Sequence, residues 1–128
     1  MSTSSSNQYT VDLGEGRDFN GLGARVERLV HPKTIGSKQL GVSMAHHAPG
    51  ERVRRHRHPY EEAYYVVQGT GVMYLEGVGD IVLKPGRAVY IPPETIHGQV
   101  NTSQDETLLI ICSLSPPPVE GDMPELFE

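Results

Sequence analysis

The chain contains no tryptophan, only two phenylalanines and a single cysteine. A lone Cys112 excludes an internal disulfide, and its place in an apolar run predicts a buried, inert thiol. Long hydrophobic stretches are missing too. The run Leu108–Cys112 has five residues, far short of the ~18 that would suggest a membrane span. Basic charge is in deficit, with 11 Lys plus Arg against 16 Asp plus Glu and a net charge of -5, which disfavours broad nucleic-acid binding. The opening Met1–Thr10 is polar and lacks the basic lead and apolar stretch of a secretory signal. Together these absences lead us to expect a soluble, cytoplasmic protein with neither a membrane nor a nucleic acid as partner.

A helical period is absent as well, since no stretch of about 11 residues repeats convincingly at 3.6. Turn formers are plentiful instead, with 14 glycines and 10 prolines in 128 residues. Strand-like segments fall between them at Ala24–Val30, Gln39–His47, 56–67, Gly71–Leu75, Ile81–Leu83, Ala88–Ile91, Gln99–Asn101 and Thr107–Cys112. Short strands so spaced predict an all-β sandwich or small barrel. We expect a flexible N-terminal arm over 1–20, part of it able to swap as a strand onto a partner, with the first eight or so residues disordered. The barrel would occupy 21–114, and an acidic, Pro-rich tail 115–128, loose or docked by Leu126 and Phe127.

Four of the six histidines lie between positions 46 and 58. On a strand, His56, His58, Tyr60 and Glu62 share parity and would face one way, although Pro59 can bend the path. Imidazole nitrogens with a carboxylate oxygen form a borderline ligand set for transition metals. His97, after the stiff Pro92-Pro93 turn, could approach the first pair from a facing strand. Three imidazoles and one acid would leave positions open on a six-coordinate ion, the condition for catalysis.

These residues carry a family resemblance. Gly50-x5-His56-x-His58-x3-Glu62-x6-Gly69 resembles the first motif of the cupin family, and Gly86-x5-Pro92-x-Glu94-x2-His97-x3-Asn101 resembles the second. In the second, Glu94 stands where the family usually has glycine. The likeness is to small single-domain bacterial-type cupins of the conserved-barrel kind, with a fainter likeness to polyketide-cyclase-like members. It implies a double-stranded β-helix, or jelly-roll barrel, that is often a homodimer. It also implies one divalent ion, Fe, Mn, Ni or Zn, held by His56, His58, Glu62 and His97, with Gly69, Gly86 and Asn101 structural.

Around such an ion, His46 is a candidate proton carrier, because it shares a face with Leu40, Val42 and Met44; its neighbour His47 is the alternative inward residue. Tyr60, Tyr64 and Tyr74 are the phenols expected to reach the cavity, the first two as catalytic groups and Tyr74 as a substrate contact. Arg54 could face the mouth and receive a carboxylate or enolate, which would suit an anionic small molecule. The expected activity is metal-assisted proton transfer, isomerisation, cyclisation or lyase chemistry on a small oxygenated substrate. An iron-dependent dioxygenase and a non-catalytic small-molecule-binding module are the alternatives.

Overall fold

A computed structural model describes residues 9–128, so the expected disorder of the first eight residues lies outside the described ones. Among the described residues, eleven strands form two antiparallel sheets: β1 Arg17–Phe19, β2 Arg25–Val30, β3 Gly41–His47, β4 Arg52–Arg57, β5 Glu61–Gln68, β6 Gly71–Leu75, β7 Gly79–Leu83, β8 Ala88–Ile91, β9 His97–Asn101, β10 Leu108–Ser115 and β11 Glu125–Leu126. One sheet runs β1-β2-β3-β10-β5-β8 and the other β11-β4-β9-β6-β7. Among the described residues there is no helix, and so none long and apolar enough to cross a membrane. The all-β jelly-roll expected from the sequence is the fold.

Alternation drives the packing. Tyr64 and Val66 of β5, Met73 and Leu75 of β6, Val89 and Ile91 of β8, and Ile110, Cys112 and Leu114 of β10 point inward and form one buried cluster. Burying such side chains contributes about 25 cal/mol per Å² of apolar surface. Gly69 shows why a turn needs glycine here: its φ is +87°, and an added Cβ would lie 2.6 Å from the Thr107 carbonyl oxygen. Asn101 is fully enclosed and donates to the carbonyls of His47 and Glu106, while its Oδ1 accepts from the Ser103 N–H. It therefore joins three segments of backbone at one end of the barrel.

The two flanks are tied to the barrel. β1, which falls within the arm, pairs with β2 of the same chain. The buried Glu27 carboxylate accepts from the Gly14 and Gly16 N–H groups and holds the preceding loop. On the other side, Arg17 makes two hydrogen bonds of 2.6 Å to Glu120, and His31 Nε2 lies 2.7 Å from the Pro118 oxygen. β11 pairs with β4, and Leu126 packs on Leu22, Ala24 and Val53.

Candidate metal centre

Stretch 56–67 is two strands rather than one. β4 and β5 belong to different sheets, with His58, Pro59 and Tyr60 turning the corner between them. Parity within β4 is broken as well. Val53 and His56 both point inward although three positions separate them. The register explains it: Val53 faces Gln99 and His56 faces His97, so three steps on β4 match two on β9. This is a β-bulge, a device that re-aims side chains beside functional sites. Gly98 lies across from it, and that glycine has room for no Cβ. Such an atom would sit 2.9 Å from the Val53 oxygen and 3.1 Å from the Arg55 nitrogen.

The bulge, the corner and the start of β9 bring His56, His58 and His97 together. All three are buried, and their ligand-capable nitrogens lie within 4.8 Å of one another, so they could hold a metal ion. Each ring is oriented by a carbonyl two residues away. Nδ1 lies 2.6 Å from the Arg54 oxygen for His56, 2.9 Å from the Tyr60 oxygen for His58 and 2.8 Å from the Thr95 oxygen for His97. A carbonyl only accepts, so each Nδ1 must carry the proton, which leaves each Nε2 a lone pair. The Pro92–Ile96 turn supports this corner: the Glu94 N–H donates to the His58 oxygen at 2.8 Å. Glu94 has φ +58°, the left-handed backbone that explains why glycine is usual there. Its carboxylate is exposed and 4.0 Å from Arg57.

Glu62 reaches the same point from β5. Its Oε1 is 3.0 Å from His58 Nε2 and 3.4 Å from His97 Nε2. Two acceptor lone pairs thus meet a carboxylate oxygen inside the protein, and His97 Nε2 has no hydrogen-bond partner. Acceptors so placed need a proton or a cation between them. A divalent metal fits this donor set without further rearrangement of tautomers. Burial, then the neighbouring His97 ring, pushes His56 down to about 3, which keeps it in the neutral form that ligates. Burial alone would raise the Glu62 carboxyl; positive charge at His58 and His97, carried by protons when no cation lies between them, pulls it down to about 2.

Beside this cluster lies a cavity of about 60 Å³, bordered by His56, His58 and Glu62 and walled by Val26, Ala45, Val53 and Leu114. At roughly 30 Å³ per water in the liquid, it has room for about two waters or a small carbon skeleton. Tyr60 lines it and stacks on His58 with ring centroids 3.9 Å apart. Tyr64 also lines it and donates its hydroxyl to Gln99 Oε1 at 3.1 Å. Burial raises both phenols above their ordinary range, which makes them proton donors rather than bases. Cys112 faces the cavity, and burial pushes its thiol well up, as befits an inert group.

Three sequence candidates sit elsewhere. His46 is on the outer face of β3, beside Arg25, Glu27 and Asp18; the inward residues of that strand are Ser43, Ala45 and His47. Fully buried His47 has Nδ1 3.1 Å from the Leu108 oxygen and accepts at Nε2 from the Gln99 amide. Tyr74 alternates with inward Met73 and lies outside, under the Arg55 guanidinium at 4.0 Å. Arg54 is turned aside by the bulge and donates to the Gly21 oxygen at 2.8 Å. Conversely, two residues outside the sequence candidates, Arg28 and Gln99, line the cavity. Arg28 shares parity with Ala24 and Val26, which was the available signal; nothing local marks Gln99.

The Cupin domain family matches residues 43–113, more than half of the chain. The chain belongs to the cupin family. Among curated cupin relatives, auxin-binding protein T85 of Nicotiana tabacum is 31% identical over 66% of this chain and 50% of its own length, so the chain spans half of that protein. Polyketide synthase CurC of Streptomyces cyaneus is 30% identical over 87% of this chain and 73% of its own length. Among solved structures, the polyketide cyclase RemF from Streptomyces resistomycificus superposes with a TM-score of 0.72, covering 92% of this cupin and 84% of RemF at 21% identity, a likeness of fold.

Proposed function

We propose that this cupin is a metal-dependent enzyme acting on a small oxygenated organic molecule by proton transfer, in an isomerisation, cyclisation or lyase reaction. One observation carries this reading: three Nε2 lone pairs and a buried carboxylate converge beside a small apolar cavity that also holds two phenols. His56, His58, Glu62 and His97 would hold one divalent transition-metal ion. Such an ion, when bound, polarises a carbonyl or enolate oxygen and lowers the cost of developing negative charge.

The chain's own residues supply the rest. Val26, Ala45, Val53 and Leu114 exclude bulk water and strengthen every electrostatic contact inside. Gln99 fixes Tyr64: its oxygen accepts a hydrogen bond from the phenol and its amide donates to His47. Tyr64 is thereby a positioned wall of the site. The Tyr60 hydroxyl has no protein partner among the described residues, and its ring is pinned on His58. It is the group placed to donate a hydrogen bond to a substrate oxygen. The likeness to CurC supports an enzyme, whereas that to an auxin-binding protein favours a second reading, a cup that binds a small molecule without turning it over.

Elemental analysis of untagged, chelator-free protein tests the proposal. Near one metal per chain is expected, lost in both His56→Ala and His97→Ala. Excess metal at about 100 times Kd should stabilise the parent by ~2.7 kcal/mol and leave the variants unmoved. Iron accompanied by dioxygen uptake would replace proton transfer with dioxygenase chemistry. No metal after reconstitution with each divalent ion would overturn the reading.

A further inference from the structure

Arg28 projects from β2 into the cavity and is 6% exposed. Its register partners are Arg17 on β1 and Ser43 on β3. Arg17 is occupied by Glu120, while Ser43 is buried and borders the same cavity. The Arg28 guanidinium lies over the Phe19 ring at 4.6 Å. Among the described residues it has no ion pair and no side-chain hydrogen bond; the carboxylate that acts on its charge, Glu120, is held by Arg17. A buried guanidinium normally has a carboxylate or several carbonyls around it, because its desolvation is costly. Here the guanidinium lies over an aromatic ring and borders the cavity instead.

We propose that Arg28 is the receptor for a substrate carboxylate, so that this cupin acts on small monocarboxylic acids. The inference deepens the proposed function and rests on its claim that the cavity takes the substrate. A guanidinium matches a carboxylate with two parallel N–H···O bonds, and Ser43 supplies a hydroxyl opposite. The size of the cavity limits the carbon skeleton to a few atoms beyond the carboxyl. Arg28 is the one Lys or Arg side chain that lines this space, so the protein itself meets a single carboxylate there. Orientation follows from the order of groups. Arg28 borders the cavity from β2, while Tyr60 borders it stacked on His58, so the carboxylate sits at the β2 end and the reacting carbon points toward the histidines.

The test titrates the full chain with butyrate and with neutral butyramide, followed by heteronuclear NMR, in chelator-treated and in zinc-loaded protein. Butyrate should bind roughly tenfold or more tightly than butyramide in both preparations, with saturating shifts on β2 and β3. Arg28→Met should erase that preference without altering zinc content, and Arg28→Lys should retain part of it. Should Arg28→Met not fold, Arg28→Lys decides: a severalfold loss supports the receptor, and unchanged affinity overturns it. Butyrate binding unchanged in Arg28→Met, or absent up to about 50 mM in the parent, overturns it as well. Tighter binding of inorganic phosphate than of butyrate would overturn the carboxylate assignment. A parent that takes up no zinc yet prefers butyrate when chelator-treated supports the receptor and refutes the metal reading alone.

Discussion

Replacing Gly98 with alanine should damage the metal centre without touching any ligand. The added Cβ would meet the Val53 oxygen at 2.9 Å, the Arg55 nitrogen at 3.1 Å and the Arg55 Cα at 3.2 Å. Each contact falls short of ordinary van der Waals separation by roughly 0.2–0.5 Å, and all three atoms are backbone, so no rotamer relieves them. The bulge of β4 must move. Overpacking of this kind costs about 1–3 kcal/mol, which for a chain of this size is a fall in Tm of about 3–10 °C. His56 is oriented by the Arg54 carbonyl, which belongs to that bulge. Displacing such a supporting group typically weakens metal affinity about 10–100-fold. The assay pairs thermal denaturation with chelator-competition measurement of zinc affinity. Gly36→Ala is the control: its φ of +76° imposes backbone strain, but no atom lies within 4 Å of the new Cβ and the site is untouched. It should lose stability alone. Zinc affinity within twofold of the parent in Gly98→Ala, alongside lost stability, would refute the link between bulge and ligand; no change in either would refute the close approach itself.

Two further outcomes are expected. His47 is buried and its pKa is lowered chiefly by desolvation, so the unfolded chain binds its proton more tightly than the folded one. Its contribution is therefore complete above the unfolded value of about 6.5 and is lost as pH falls toward the depressed folded value; denaturant titrations from pH 8 to 5 should show a shallower decline in His47→Gln. Gln99→Leu leaves the Tyr64 hydroxyl and His47 Nε2 without their partner, and should cost about 1–3 kcal/mol by chemical denaturation, more than Tyr64→Phe.

Much of the architecture was legible because turn chemistry is local. Gly69, Pro85-Gly86 and Pro92-Pro93 bracket strands whose positions follow from them. The four ligand candidates were legible through spacing, yet the geometric reason differs from simple parity. A bulge aims His56, a corner aims His58, and neither leaves a mark in an alternating pattern. β3 misleads for a different physical reason. Its regular apolar residues Val42 and Met44 cover the outside of the larger sheet, while Ser43 and His47 line or support a cavity that needs polar groups. The hydrophobic face of a strand marks the core only where the interior is wholly apolar. Arg28 follows the same rule: it lies in phase with Ala24 and Val26, and a charged residue in that phase points to the cavity rather than to solvent. Arg54 and Tyr74 were drawn outward by a bulge and by the phase of β6, both set by pairing across the sheet.

The cavity is enclosed by two kinds of material. His56, His58 and Glu62 come from the strands and corner of the barrel, whereas Phe19, Leu22, Pro118 and Pro124 come from the flanking segments. Those flanks are clasped by Arg17–Glu120, by His31 on Pro118 and by Leu126, which pairs with His56 from outside the barrel. The ligand candidates and part of the cavity wall are thereby written in separate stretches of the sequence. Substitutions at Phe19, Pro118 or Pro124 change the size of molecule the cavity admits while every ligand candidate stays in place.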